Sequence, residues 1–226
     1  FQLRDKRVGW GMIISSGRGF IFVHIPKTGG TSMALALEGR AMADDILIGD
    51  TPKAKRRAGR LKGAQAAGRL WKHATLADID GLVPLSTIRE AFTFTLVRNP
   101  WDRMVSYYHW LRGQTFDHPA VHLAQRVDFS GFLNAALTQK AWVASPARIY
   151  MTASDGAQYC SRYIRLEHLD EDAAPLWAHL GFRLDLPRAN RSSREIADYR
   201  SYYSDSDAAL LARLSAEDIA RFGYAF

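Results

Sequence analysis

The chain has 226 residues, 47 % of them hydrophobic and 23 % charged, with a formal net charge of +7. Those proportions are ordinary for a soluble globular protein, and the length suits a single domain over residues 1–226 with a three-layer α/β core. The longest uncharged apolar runs are only strand length, which excludes a membrane-spanning helix, and the lone Cys160 excludes an intrachain disulfide and fits a reducing cytoplasm.

Phe20-Ile21-Phe22-Val23-His24-Ile25 is a run of bulky residues that predicts a buried strand. It leads through Pro26-Lys27-Thr28-Gly29-Gly30-Thr31-Ser32 into Met33-Ala34-Leu35-Ala36-Leu37-Glu38, a stretch of good helix formers. Strand, glycine-bearing loop and helix together make backbone N–H groups and a helix N-terminus converge on a phosphate. Lys27 adds a point charge at the rim, and Thr31 and Ser32 add hydroxyls in the first helical turn. The lysine precedes the glycines and no Gly-Lys-Ser/Thr closes the loop, so this is not a Walker A sequence. A plain strand-to-helix turn has the same spacing, and a second half of the site is needed to separate the two readings.

Residues 51–77 contain no Asp or Glu but carry Lys53, Lys55, Arg56, Arg57, Arg60, Lys62, Arg69 and Lys72. This segment accounts for the whole positive excess. Its basic part, about residues 51–72, is rich in Ala and Gly and predicts a loose helix or mobile excursion. A solvated surface element is one reading and an electrostatic collar for an anionic acceptor the other. No helix-turn-helix, RRM or finger pattern supports nucleic-acid binding. The excursion runs into Trp71-Lys72-His73-Ala74-Thr75-Leu76-Ala77-Asp78-Ile79. Thr75 and Asp78 have capping-box spacing, which predicts a helix start there and leaves His73 in the loop before it.

Phe92 to Val97 predicts a second buried strand, ended by Asn99-Pro100, and Pro100 suits the first position of a helix. Arg98 then sits at the carboxyl end of a strand, where open α/β sheets place their ligand crevice. Ser106 lies about two turns into the following helix, and an arginine fork with a hydroxyl makes a receptor for a second phosphate. Downstream, Asp128 opens a helix with Phe129, Phe132, Leu133, Ala136 and Leu137 on one face. Arg162 to Leu166 predicts a strand, Asp170 to Leu180 a helix stopped by Gly181, and Ser215 to Phe222 a helix capped by Ser215 and Asp218. His24 fits a packed core residue and His109 a helix surface, while His118, His122, His168 and His179 have no partner spacing. Without HExxH, CxxC or clustered carboxylates, no metal site is expected.

The pair "IPKTGGTS" and "VRNPWDRMVSYY" resembles the sulfotransferase superfamily, closest to the carbohydrate branch that includes heparan sulfate O-sulfotransferases. The resemblance is good over about residues 20–110 and weaker in the tail, where "LPRANRSS" and "AEDIARFGYAF" are similar to bacterial members. It implies a P-loop-like three-layer α/β fold, with a central parallel sheet flanked by helices. It also implies PAPS (3′-phosphoadenosine 5′-phosphosulfate) as donor. Lys27, Thr28, Gly29, Gly30, Thr31 and Ser32 would then hold the 5′-phosphosulfate, and Arg98 with Ser106 the 3′-phosphate. His73 matches the loop histidine that supplies the base in several heparan sulfate O-sulfotransferases. Its expected catalytic partner is Lys27, which with the loop N–H groups would stabilise the charge growing on the departing phosphate, so that no metal would be needed. The expected partner is a hydroxyl acceptor, in particular an anionic carbohydrate.

Unlike Golgi relatives, the chain shows no signal peptide or membrane anchor, which points to a soluble bacterial-type enzyme. A late basic loop around Arg191 and Ser193 is expected to fold over the nucleotide. Two rival readings stand beside this one. An ATP-dependent kinase would need the missing Gly-Lys-Ser/Thr and a Mg²⁺ carboxylate, and a non-catalytic polyanion binder would rest on residues 51–77 alone.

Overall fold

The computed structural model describes residues 11–187 and 197–226. In chain order the elements are β1 (Met12–Ser15), β2 (Phe20–Val23), α1 (Gly30–Gly39), β3 (Ile46–Ile48), α2 (Pro52–Arg57), α3 (Leu85–Glu90), β4 (Phe92–Val97) and α4 (Pro100–Arg112). There follow α5 (Pro119–Arg126), α6 (Phe129–Asn134), α7 (Ala136–Val143), α8 (Ala147–Tyr150), β5 (Arg162–Arg165), α9 (Leu169–Asp172), α10 (Ala174–Leu180), α11 (Asp205–Leu214) and α12 (Ala216–Phe222). The chain divides into two compact units, one holding residues 11–97 and 147–187 and the other residues 98–146 and 197–226.

The first unit contains the whole sheet, in the order β3-β1-β2-β4-β5. β2, β4 and β5 run parallel, with Val23 opposite Thr95 and Val97 opposite Arg165. The sheet is mixed rather than wholly parallel, because β1 pairs antiparallel with both β2 and β3. A tight turn explains the reversal: Gly19, at φ 61, donates its N–H to the Ser16 carbonyl. A connection that short can join only antiparallel neighbours.

Side chains alternate across the sheet. Ile13, Phe20, Phe22, Phe94 and Leu96 pack with Met33 and Leu37 of α1, Ala54 of α2 and Leu176 of α10. On the opposite face Met12, Ile14, Ile21 and Val23 meet Leu76, Ile79, Val83, Ile88 and Met151. Thr93 and Thr95 are buried in β4 without penalty, because their hydroxyls donate to the carbonyls of Tyr159 and Val23 at 2.7 and 2.8 Å.

The helix expected at Thr75 does not form. Thr75 and Asp78 do exchange the reciprocal bonds of a capping box, with Thr75 N–H to Asp78 Oδ2 at 2.7 Å and Asp78 N–H to Thr75 Oγ1 at 3.2 Å. Leu76 and Ala77 donate outside the segment, to the carbonyls of Tyr150 and Thr152. The bonds that follow are turn-like, Asp80 N–H to the Ala77 carbonyl and Leu82 N–H to that of Ile79, and Gly81 at φ 82 takes the chain out of helical geometry. The basic excursion begins as an ordered element: Thr51 caps α2, Lys53 reaches the Glu38 carbonyl, and Arg57 reaches those of Met42 and Asp45.

Within the first unit, Asp172 ties β5 to α9. Its carboxylate accepts from Arg165 Nε at 2.7 Å, the Arg165 backbone N–H at 2.9 Å and Arg162 Nη2 at 3.3 Å. The hydrogen bond from the Arg165 guanidinium holds the carboxyl below the ordinary carboxylate range. A depressed carboxylate adds stability above its unfolded pKa and loses it as pH falls through the lowered folded value. Asp172→Asn should cost about 1–3 kcal/mol near neutral pH, towards the lower end because both arginines are partly exposed. Denaturant titrations should show that gap closing on acidification below the carboxylate range. A gap independent of pH would refute the ionic account.

In the second unit α4 packs with α5, α6 and α11 around Trp101, Met104, Tyr108, Phe129, Phe132 and Leu211. Asn99 caps α4 by accepting from the Trp101 N–H at 3.0 Å, with Pro100 at the first helical position as expected. The helix predicted from Asp128 breaks at Ala135, whose extended ψ of 132 separates α6 from α7 and leaves Ala136 exposed. Ser215 precedes α12 without a side-chain capping bond, and its hydroxyl accepts from Trp142 Nε1 at 2.8 Å.

Candidate functional site

The loop after β2 has an unusual backbone. Lys27 has φ 66 and Gly29 φ 82, and Lys27 is the one non-glycine residue with positive φ among the described residues. A lysine held in the left-handed region costs about 1–2 kcal/mol, a strain characteristic of functional loops. Thr28 is buried and turns its hydroxyl inward, donating to the Ile25 carbonyl at 2.9 Å. That bond closes the loop and engages the Thr28 hydroxyl within it. The Ser32 N–H bonds the Gly29 carbonyl, which starts the ten-residue α1 with Gly29 as N-cap and no acidic side chain in its first turn. The head of α1 therefore presents amide donors and the positive end of the helix dipole. Thr31 and Ser32 are half-buried in that first turn.

Both glycines are required by their surroundings. Gly29 needs its positive φ, and a Cβ there would lie 2.7 Å from Leu166 Cδ1, just beyond β5. A Cβ on Gly30 would collide with His24 Cδ2 and lie 2.7 Å from Nε2 of the same ring. Only a bare backbone fits beside His24.

His73 lies in the same unit. Its Nδ1 is 2.8 Å from the His24 carbonyl, an acceptor only, so Nδ1 carries the proton and Nε2 is the basic nitrogen of the neutral ring. The His73 ring stands edge-on to those of His24 and Trp71, with centroids at 4.7 and 5.1 Å. Arg69 lies over Trp71 at 5.5 Å, so the last part of the basic segment is packed onto the histidine loop. The tertiary fold thus brings His73 towards the loop after β2 through His24, a contact that sequence reasoning missed. Only the place of His24 directly before the loop signalled it.

In the other unit Arg98 immediately follows β4 in the chain. Its Nε and Nη2 both donate to Asp102 Oδ2, at 2.9 and 2.7 Å, and the pair is largely buried. This i,i+4 pair aligns the guanidinium along the first turns of α4. Ser106 lies on the same helix, 4 % exposed. Arg191 and Ser193, expected to fold over the nucleotide, lie outside the described residues. No group of metal-ligating side chains occurs among the described residues, and no described helix is long and apolar enough to cross a membrane.

The strand, the glycine loop with its left-handed lysine, the head of α1 and the histidine loop thus lie together in the first unit. The sulfotransferase family model matches residues 10–225, and the chain belongs to that family. It is a sulfotransferase, and its reaction is sulfuryl transfer. Among solved structures the chain is similar to mouse sulfotransferase SULT7A1 complexed with PAP, at 15 % identity and a TM-score of 0.42, over 93 % of this chain and 87 % of that one. No curated protein matches it.

Proposed function

We propose that the chain, acting as one sulfotransferase domain, transfers the sulfuryl group of PAPS to a carbohydrate hydroxyl. The observation that carries this reading is the contact chain from His73 through His24 to Gly30, which joins a base to a phosphate loop. His73 Nε2 takes the acceptor's proton as the acceptor oxygen bonds to sulfur in line and the bond from sulfur to the phosphate oxygen breaks. Lys27 and the N–H groups at the head of α1 receive the charge that grows on the departing phosphate, with no metal needed for that work. The logic parallels phosphoryl transfer, where positioning and electrostatics supply most of the effect. Arg98 and Ser106 take the 3′-phosphate, with Asp102 steadying the arginine.

The exposed Lys55, Arg56, Arg60, Lys62 and Arg69 favour an anionic acceptor. The lone Cys160 suits a reducing cytoplasm. Incubation with labelled PAPS and a cell extract should yield a labelled glycan, whereas a labelled small alcohol or protein would redirect the acceptor. Adenosine 3′,5′-bisphosphate should raise the melting temperature and ATP–Mg²⁺ should not. The reverse would favour a kinase.

Arg98→Ala should weaken bisphosphate binding about tenfold to a hundredfold, the loss expected for charge-assisted bonds to one phosphate. Titration calorimetry measures it directly. Unchanged affinity would remove Arg98 from the donor site.

A further inference from the structure

We propose that His24 is a positioning residue for sulfuryl transfer, its imidazole acting as a spacer that sets His73 against the phosphate loop. The inference rests on the reading of His73 as base. The His24 side chain is 5 % exposed and touches both functional parts. One side of the ring fills the space that a Cβ on Gly30 would need, with Nε2 at 2.7 Å from that position. Its contact with His73 is edge-on at 4.7 Å and 63°, and behind it the ring stacks on Phe22 at 6.1 Å and 22°. The residue's own carbonyl receives the His73 Nδ1–H at 2.8 Å.

The backbone bond sets the tautomer of His73, while the ring sets its direction and its distance from the loop. Phe22 lies in the sheet core, and β2 is fixed alongside β4 by the bond from Thr95 Oγ1 to the Val23 carbonyl at 2.8 Å. The spacer therefore stands on a hydrogen-bonded, buried part of the sheet. In-line transfer requires the base, the acceptor oxygen and sulfur in one narrow geometry, and a misplacement of about 1 Å costs on the order of 10²-fold in rate.

The test is a double-mutant cycle read by single-turnover release of adenosine 3′,5′-bisphosphate from PAPS, with water as the acceptor. His24→Ala should lower the rate by about 10²-fold and leave bisphosphate affinity near wild type. His24→Ala combined with His73→Ala should fall no more than about twofold below His73→Ala alone, because a residue that acts through His73 has nothing left to position. His24→Phe keeps a flat ring on Phe22 and should recover most of the lost rate with the acid limb of the pH profile intact. It carries the test if the alanine variant does not fold. Independent, multiplying losses from the two alanine substitutions would overturn the proposal. So would a folded His24→Phe as slow as His73→Ala, which would mean that the ring nitrogens and not its shape are needed. A His73→Ala enzyme with full rate would instead defeat the base assignment itself.

Discussion

His73→Ala is expected to remove about 10²–10⁴ of the sulfuryl-transfer rate, the usual contribution of a positioned general base. Bisphosphate affinity should stay nearly intact, because an in-line acceptor approaches sulfur from the side opposite the nucleotide. The bond from Nδ1 to the His24 carbonyl makes Nε2 the working nitrogen, so protonating the ring leaves no acceptor for the hydroxyl proton. The wild-type rate should therefore fall on acidification through the imidazole range, and the mutant should lose that limb. His73→Gln sharpens the test by retaining a polar side chain that cannot serve as a base. A variant with full rate and an unaltered acid limb would take His73 out of the mechanism. His109, packed against Tyr202 in the other unit, would then be the next histidine to test.

Lys27→Ala should lower kcat by about 10²–10³, comparable with deleting one oxyanion donor. Donor affinity should change less, since the ammonium is most useful once the leaving phosphate is fully anionic. The backbone supplies a control that separates charge from conformation. With φ at 66, Lys27 occupies a region that glycine adopts without strain, so Lys27→Gly should be at least as stable as Lys27→Ala and equally slow. Pre-steady-state burst kinetics and thermal melts of the two variants measure both effects. Collapsed donor affinity with an unchanged single-turnover rate at saturation would make the lysine a ground-state anchor instead.

Local chemistry was legible wherever a few neighbouring residues decide the outcome. The strand Phe92–Val97 and the helix that starts at Asn99-Pro100 occur where the sequence places them. Alternating bulk, a proline without an N–H and an asparagine cap all act within a few residues. The strand–loop–helix of β2 and α1 was visible for the same reason, as was Gly181 ending α10 at φ 74. The Thr75–Asp78 pair marks the limit of such signals. Its capping bonds form as the spacing demands, but the chain leaves helical geometry at Gly81, φ 82, and the segment is a turn docked on the Tyr150 and Thr152 carbonyls.

By itself, then, the sequence determined the family, the strand–loop–helix of β2 and α1 and which residues on it are candidates. Tertiary structure alone decided the mixed sheet, because β1 and β3 are four and three residues long and acquire their identity only by pairing. It alone decided the placement of His73, whose anchoring carbonyl is 49 residues away in the chain. It also gave His24 a partner on each side, where the sequence offered only a buried residue at a strand end. Such contacts follow from how segments with no local relation to one another fill a common core, and sequence spacing carries no record of that packing.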